Sequence, residues 1–411
     1  MKKHYQVIII GAGPAGIAVA TSLKKAGVDD LVILERENAF GGAPRHCLHP
    51  TFGLQTFWRP MTGRTFIKKI RARAPDAAIA TSATVVALKA GGELSVSLPE
   101  EGLLGITGER VVIATGARET PRHPRLVGGL RPRGVMTAGA LQQFIYLGKR
   151  KPFSSPVVVG SEVVGFSALW TLKNAGIKAV AMIEPEPRLI APSASSLCAA
   201  FLGVKIRRGT EITRIGGLDR VEYIDTKDRA GNEHRIACDG VIFTGRFVGE
   251  NTLVRESHLA HDPAAGGAPV TDQFGRCSDP AYFAAGNMLH PADMGDQCYQ
   301  EGLVVGRHVA DSLRNRLPDY EKNGVPVNRD PAIRLVTPGR LITGAGIRPV
   351  TLNMRVARPV KGDVIVSAGD RILYRKRHDC KIERRILLKN LPPSAIPAPA
   401  TAVELKIIPV K

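Results

Sequence analysis

The sequence predicts an α/β protein built from two strand–helix–strand units in series, followed by a small all-β domain. Three observations carry that reading. Near the start, the β-branched run Val7 to Ile10 leads straight into a glycine turn, Gly11-Ala12-Gly13-Pro14-Ala15-Gly16. An Ala/Val/Leu helix follows, then a second apolar run, Leu31 to Leu34, that ends in Glu35. The same order recurs as strand 156–159, turn Gly160 to Gly165, helix 166–175 and strand 179–183 ending in Glu184. Beyond residue 331 a period-two alternation takes over.

Each part of the first unit has a physical job. Gly11 permits the tight turn, Gly13 lets a pyrophosphate approach the backbone, and Gly16 lets helix and strand pack closely. Pro14 and Ala15 open the helix, whose N-terminus offers free N–H groups and partial positive charge to phosphates. Glu35 lies 24 positions after Gly11, placed to accept hydrogen bonds from an adenosine ribose, with Arg36 next to it. Strand, turn, helix, second strand and acid together specify a dinucleotide site.

At 411 residues the chain has room for two or three domains with substantial cores. Its 44% hydrophobic and 23% charged residues are ordinary for a globular enzyme, while a formal net charge of +20 is not. Such charge favours nucleic acid, anionic membranes or acidic partners. No dense Lys/Arg block interleaved with aromatics occurs, and only 5% of residues are aromatic, which argues against nucleic acid. The six cysteines (Cys47, Cys198, Cys238, Cys277, Cys298, Cys380) are scattered singly. They supply no CxxC dithiol and no zinc or iron–sulfur ligand set, and they fit a reducing cytoplasm. The opening MKKHY with its apolar run mimics a signal peptide, but the glycine turn inside the run explains it better. No uninterrupted apolar stretch is long enough for a transmembrane helix.

After Glu35 come Gly41-Gly42 and a loop, Ala43 to Pro50, that concentrates Arg45, His46, Cys47 and His49. A helix is expected from about Arg64, short β segments over 79–98, and a strand, Arg110 to Ile113, closing in Ala114-Thr115-Gly116. Residues 118–155 read as a crossover rich in Arg, Gly and Pro, with a helix at Ala138 to Tyr146. In the second glycine turn Glu162 stands where the middle glycine belongs. A carboxylate there crowds and repels a pyrophosphate, which argues against tight NAD(P) binding. The unit ends in Val241-Ile242-Phe243-Thr244-Gly245, and the chain then returns through Tyr282-Phe283-Ala284-Ala285-Gly286-Asn287 to a helix of about Cys298 to Leu313.

This order, with its strand-ATG and AAGN segments, resembles the two-domain flavoprotein fold of the pyridine nucleotide-disulfide oxidoreductase superfamily. The resemblance covers residues 1 to about 320 and implies two Rossmann-like FAD/NAD(P)-binding domains, the second inserted in the first. It implies an FAD domain over 1–122 and 269–322 and an NAD(P)-binding-like domain over 123–268. Gly116 would let the returning chain pass the cofactor, and Gly286 and Asn287 match a motif whose acid holds the FAD ribityl hydroxyls; the amide here carries no charge. The helix after that motif is expected to aim its N-terminus at the flavin pyrimidine edge. GGAPRHC, TGRFVGENTLV, FAAGN and QCYQEG together resemble FAD subunits of opine and hydroxyproline-type dehydrogenases.

From Asn323 a linker, NGVPVNRDP, is expected, then a sandwich-like β domain over 331–411. In Val350 to Val356, Leu352, Met354 and Val356 share one face and Thr351, Asn353 and Arg355 the other. Gly369-Asp370 marks a hairpin turn. The domain holds 16 Lys/Arg against 5 Asp/Glu, a net +11. Two readings fit that charge: a patch for an acidic partner or anionic lipid, including peripheral membrane contact, and a solvated basic face.

Flavin chemistry supplies hydride acceptance, and the protein positions the substrate. With no cysteine pair, disulfide reduction is not expected. His46 and His49 are candidate proton acceptors and Arg45 a candidate partner for a substrate carboxylate; the alternative is that they hold their own loop together. His46, Cys47 and His49 are packed too tightly for the usual zinc spacing, so no metal site is read. Cys298 at a helix start would favour a thiolate, the alternative being a cysteine that is simply packed; His290 and Asp293, in the loop before that helix, are candidates to face the flavin. The leading expectation is an FAD-dependent dehydrogenase that oxidises a small amino- or hydroxy-acid-like substrate. Its electrons would pass to a partner redox subunit or a quinone. An NAD(P)H-dependent flavin oxidoreductase is one alternative, and an FAD-holding structural or sensor subunit is the other.

Overall fold

The computed structural model describes residues 1–410 apart from 194, 323, 345 and 397–401. In the first unit, β1 (His4–Ile10), α1 (Pro14–Lys25), β2 (Leu31–Leu34), α2 (Gly63–Arg71) and β3 (Gly102–Ile113) follow the predicted order. β1 lies between β2 and β3, parallel to both, with Ile10 opposite Leu34 and Ile113. Residues 78–80 extend the sheet beyond β2, and the hairpin 84–98 extends it beyond the first half of β3. The four residues of β2 are all buried, so it reads as a continuous apolar run.

The second unit repeats the plan with α3 (Ala138–Tyr146), β4 (Pro156–Val159), α4 (Val163–Asn174), β5 (Ala181–Glu184) and β6 (Gly240–Phe243). β4 sits between β5 and β6 in a five-stranded parallel sheet, in the register that β1 keeps with its neighbours. A separate antiparallel sheet over 210–237 covers it, and Val157, Val159, Val241 and Phe243 pack against Ile215, Ile224 and Ile236 between the two. The outward and return crossovers between the units pair with each other as strands 117–119 and 247–249. The chain then lays β7 (Tyr282–Ala284) parallel against the end of β3 and continues into α5 (Gly295–Leu313), which packs on α1.

The C-terminal region starts earlier than expected. The linker was expected from Asn323, which itself lies outside the described residues. Immediately after it, β8 (Gly324–Arg329) is an interior strand of a five-stranded sheet. Its alternation Val325, Val327 is short and broken by Pro326, which hid it. With β9 (Ile333–Thr337), β10 (Arg340–Ile342), β11 (Val350–Val356), β12 (Val360–Ala368), β13 (Arg371–Cys380), β14 (Ile386–Leu391) and β15 (Val403–Pro409), two sheets enclose one apolar core. Leu352, Met354 and Leu388 meet Val364, Val366 and Leu405 there. Gly369, at φ 55°, makes the β12–β13 turn as expected. On β11 the face opposite Leu352, Met354 and Val356 is solvated only at Thr351: Asn353 and Arg355 are buried. No described helix is long and apolar enough to cross a membrane.

Candidate functional site

The carboxyl ends of β1, β3 and β7 converge, and the sequence-predicted cofactor residues gather there. Gly11 N–H donates to the Leu34 carbonyl at 2.8 Å and Ala114 N–H to the Ile10 carbonyl at 2.8 Å, which fixes turn against strand. Gly11 has φ 108°, and a Cβ on it would lie 2.4 Å from the Ala114 carbonyl oxygen. A Cβ on Gly16 would lie 1.9 Å from the Gly11 carbonyl oxygen, so only glycine fits. Over Gly13 and Gly116, by contrast, a Cβ would meet nothing within 4 Å. Gly13, at the start of α1, thus faces open space of the kind a pyrophosphate needs, and Gly116, after the end of β3, faces open space as well.

Glu35 is buried, and its carboxylate accepts from Ala12 N–H at 2.9 Å and Glu37 N–H at 2.9 Å. Arg36 is exposed, 4.0 Å from Glu37. Gly41 N–H donates to the Ala12 carbonyl at 2.8 Å, and a Cβ on Gly42 would lie 3.1 Å from Gly13 Cα, so the Gly-Gly turn presses on the cradle. Thr115 Oγ1 donates to the Glu250 carbonyl at 2.8 Å. Gly286 N–H donates to Glu301 at 2.9 Å. The Asn287 amide closes its own loop: it donates to the Asp293 carbonyl and accepts from the Asp293 N–H, each at 3.0 Å.

The second glycine turn has the same skeleton with a different filling. Gly160 N–H donates to the Ile183 carbonyl at 2.8 Å, and Thr244 N–H to the Val159 carbonyl at 2.9 Å. Glu162 folds its carboxylate back over this turn and accepts from Thr244 Oγ1 at 2.9 Å. A Cβ on Gly245 would lie 2.1 Å from one carboxylate oxygen of Glu162, and one on Gly160 2.5 Å from the other. Burial pushes the Glu162 carboxyl up to about 7, against the hydrogen bond from Thr244. Arg125 donates to the Thr244 carbonyl at 2.8 Å and the Gly245 carbonyl at 3.0 Å, putting a positive charge beside the carboxylate.

The loop after Gly42 joins the two units. Cys47 Sγ lies 3.3 Å from Gln142 Oε1, Gln142 Nε2 donates to Ser167 Oγ at 2.8 Å, and Ser167 Oγ meets His49 Nδ1 at 2.6 Å. Burial holds the His49 imidazole down at about 4, so it is neutral and shares one hydrogen bond with the Ser167 hydroxyl. His46 is also held at about 4, by burial and then by Arg45 and Arg64, and its Nδ1 is buried with no hydrogen-bond partner. Arg45 turns back on its own loop instead, donating to the Ala39 carbonyl at 2.9 Å with Glu37 at 3.7 Å. Cys47 is an un-ionised thiol, pushed up to about 12 by burial and by Glu119.

Cys298 sits in the first turns of α5 and is packed: it is buried, and burial with Asp293 and Glu301 nearby drives it well above the usual thiol range. His290 and Asp293 are engaged with the β domain. Asn353 donates to His290 Nδ1 at 3.0 Å, and His290 Nε2 bonds Glu301 at 2.9 Å. Asp293 pairs with the buried Arg355 and with Arg385 at 3.3 Å. The β14 approach also reaches the second unit, where Arg384 donates to the Ile190 carbonyl at 3.1 Å.

One buried acid escaped the sequence reading. Glu119 accepts from Gly139 N–H at 2.7 Å, and burial raises it to about 7. The signal was present: Glu119 is the sole acidic residue between Glu109 and Glu162, in a crossover full of arginine. An acid that titrates near neutrality at a domain junction is a candidate proton carrier.

The sequence matches the family model described as pyridine nucleotide-disulphide oxidoreductase over residues 5–303. A probable ferredoxin reductase of Castellaniella defragrans is 28% identical over 70% of this chain and 68% of its own length. The alpha subunit of sarcosine oxidase from Rhizobium meliloti is 26% identical over 45% of this chain, which spans only 19% of that protein. An opine oxidase subunit from Rhizobium meliloti is 23% identical over 70% of this chain and 59% of its own length. Among solved structures, thioredoxin reductase of T. acidophilum has a TM-score of 0.63 at 21% identity, covering 76% of this chain and 99% of that one.

Proposed function

Because the chain belongs to the pyridine nucleotide-disulphide oxidoreductase family, whose members bind FAD, we propose that it is an FAD-dependent dehydrogenase of a small amino- or hydroxy-acid-like substrate that hands electrons to a partner protein. One observation carries the reading: the space over Gly13 at the start of α1 is open, while that over Gly160 and Gly245 is filled by Glu162. Phosphate can approach the first backbone and not the second. The electron donor in this reading is therefore a substrate other than a nicotinamide nucleotide. The likeness to sarcosine and opine oxidase subunits supports an amino-acid-like substrate and a partner subunit.

Bound FAD would supply the acceptor for a hydride. The chain's own residues would do the rest. The Gly11–Gly16 turn and the α1 N-terminus would hold the pyrophosphate, and Glu35 the ribose. His46, neutral at physiological pH and with Nδ1 unengaged, would take the proton that the substrate amine or hydroxyl loses. Its depressed basicity means that the proton must move on, and Glu119 at about 7 is suited to receive it.

An anaerobic screen of the FAD-loaded protein tests this. Amino and hydroxy acids, NADH and NADPH are added separately while flavin absorbance is followed. Bleaching by an acid and not by either nicotinamide is expected. Bleaching by NADH or NADPH alone would make the chain an NAD(P)H-dependent flavin oxidoreductase. Retained flavin with no bleaching by any donor would leave a structural or sensor subunit.

A further inference from the structure

Neither glycine turn uses the face around Trp58. Gly53 to Pro60 form a loop closed at its base by paired hydrogen bonds between Phe52 and Met61, at 3.2 and 2.8 Å. Asp296, fully buried in the first turn of α5, accepts from Gly53 N–H at 2.8 Å and from Thr56 N–H at 2.9 Å. Phe57 lies edge-on to Phe66 at 6.1 Å, with the Arg73 guanidinium over its ring at 4.6 Å. The loop is thus braced from within, and at its tip Trp58 stands 90% exposed at φ 54°. A bulky side chain in that conformation costs free energy, and rigid bracing sustains it. Leu54, on the same loop, is also exposed.

Apart from the buried Asp296 beneath it and Asp76 beside Arg71, the charge on this loop and on α2 is positive. Residues 51–75 contain Arg59, Arg64, Lys68, Lys69, Arg71 and Arg73 and no Asp or Glu. Among the described residues, Arg59, Lys68, Lys69 and Arg73 have no carboxylate within ion-pair distance; the salt bridges of the chain lie elsewhere. The β domain, although more basic overall, spends much of its charge internally. Arg375 and Arg377 pair with Asp363 at 3.0 and 3.1 Å, and Arg355 and Arg385 turn inward to Asp293.

We infer that the Trp58 face docks an acidic protein, the electron-accepting partner of the function proposed above, on which this assignment rests. A pre-ordered indole next to Arg59, with Lys69 and Arg73 over the ring of the adjoining Phe57, has the composition of an interface anchor: tryptophan and arginine dominate binding energy, and a braced loop loses little entropy on docking. Opposite charge on the partner speeds encounter and sets orientation. The site is next to the chemistry, because Asp296, which holds the loop, belongs to the helix that follows Gly286-Asn287. A membrane fits less well. The apolar face of α2 (Phe66, Ile67, Ile70) is buried in the protein, so only Trp58 and Leu54 would insert.

The test uses the full-length, FAD-loaded protein and three probes under calorimetry: an acidic [2Fe–2S] ferredoxin, a basic cytochrome c, and vesicles of phosphatidylserine with phosphatidylcholine. Ferredoxin is expected to bind, with affinity falling as salt rises. Trp58→Ala should weaken it at least tenfold, and Lys68→Glu with Lys69→Glu should weaken it and flatten the salt dependence. Flavin content and melting temperature should stay unchanged in both variants. Absence of ferredoxin binding, binding indifferent to Trp58, or Trp58-dependent binding to vesicles instead would each overturn the assignment. Binding requires no turnover, so a failed substrate screen leaves this result interpretable.

Discussion

The two glycine turns of this chain share a backbone and differ in what lies on it. In both, the turn N–H bonds the carbonyl end of the next strand at 2.8 Å, and the third strand closes on the first at 2.8 or 2.9 Å. At the middle position the first turn has Gly13, with nothing within 4 Å of a would-be Cβ, and the second has Glu162, whose oxygens fill the cradle. A nucleotide-binding architecture therefore persists without its ligand when a side chain takes the ligand's place. A carboxylate is an apt substitute, since it meets the Thr244 hydroxyl and the nearby Arg125 as a phosphate oxygen would. Fold and ligand are separable here at the level of one residue.

The largest effect should come from the position where both turns need glycine. Gly16→Ala would bring Cβ to 1.9 Å of the Gly11 carbonyl oxygen, whereas Gly165→Ala would bring it to 2.7 Å of the Gly160 carbonyl oxygen. Overpacking against backbone costs up to about 3 kcal/mol, and the first substitution should reach that. Denaturant titration should show Gly16→Ala less stable than Gly165→Ala, with FAD lost. Equal stabilities would mean that the two turns are not packed as described.

Next is the transplant. Gly13→Glu places the second turn's residue in open space, so the fold should survive within about 1 kcal/mol. FAD affinity should fall at least ~100-fold, about 2.7 kcal/mol, because a carboxylate would face the pyrophosphate. Flavin content after gel filtration reads this directly. Normal flavin content would show that the first cradle does not hold the phosphates. The reverse change, Glu162→Gly, should gain roughly tenfold in NADH or NADPH affinity, about 1.4 kcal/mol, followed by fluorescence of the reduced nicotinamide. The gain is smaller because Arg384 still bonds the Ile190 carbonyl beside this turn.

How much of this was visible in the sequence differs by residue and for physical reasons. The units, their order and the odd Glu162 were legible because glycine turns between apolar runs impose a backbone that few other sequences need. The β8 strand was missed because Pro326 interrupts a run of six residues. Alternation separates Asn353 and Arg355 from the apolar face of β11 but cannot distinguish water from the polar interface with His290 and Asp293 that covers them. Of the two readings for Arg45, a substrate partner or a brace for its own loop, the contacts to Glu37, Asn38 and Ala39 favour the brace. Trp58 offered no periodic signal at all, because its exposure depends on Asp296, which is 238 positions away (296 − 58).

The smallest effect is a pH slope that belongs to one turn and not the other. Glu162 has a folded pKa of about 7 against an ordinary 4.5, because burial disfavours its charged form. The folded state therefore binds this proton more tightly than the unfolded chain. The stability involved is fully present below about pH 4.5 and is lost as pH rises through 7. His46 and His49 act oppositely: with folded values near 4 against 6.5, their contribution is present above 6.5 and lost as pH falls through 4. Glu162→Gln removes only the first trend. Since Glu162 is half-buried, its full shift overstates the energy, and about 1 kcal/mol is expected. Urea midpoints should coincide at pH 5, and at pH 8 the Gln variant should be the more stable by that amount. Parallel curves from pH 5 to 8 would mean that the Glu162 carboxylate is solvated rather than seated on Gly160 and Gly245. In the Gly13→Glu variant, where the new carboxylate has open space and no threonine partner, no such slope should appear.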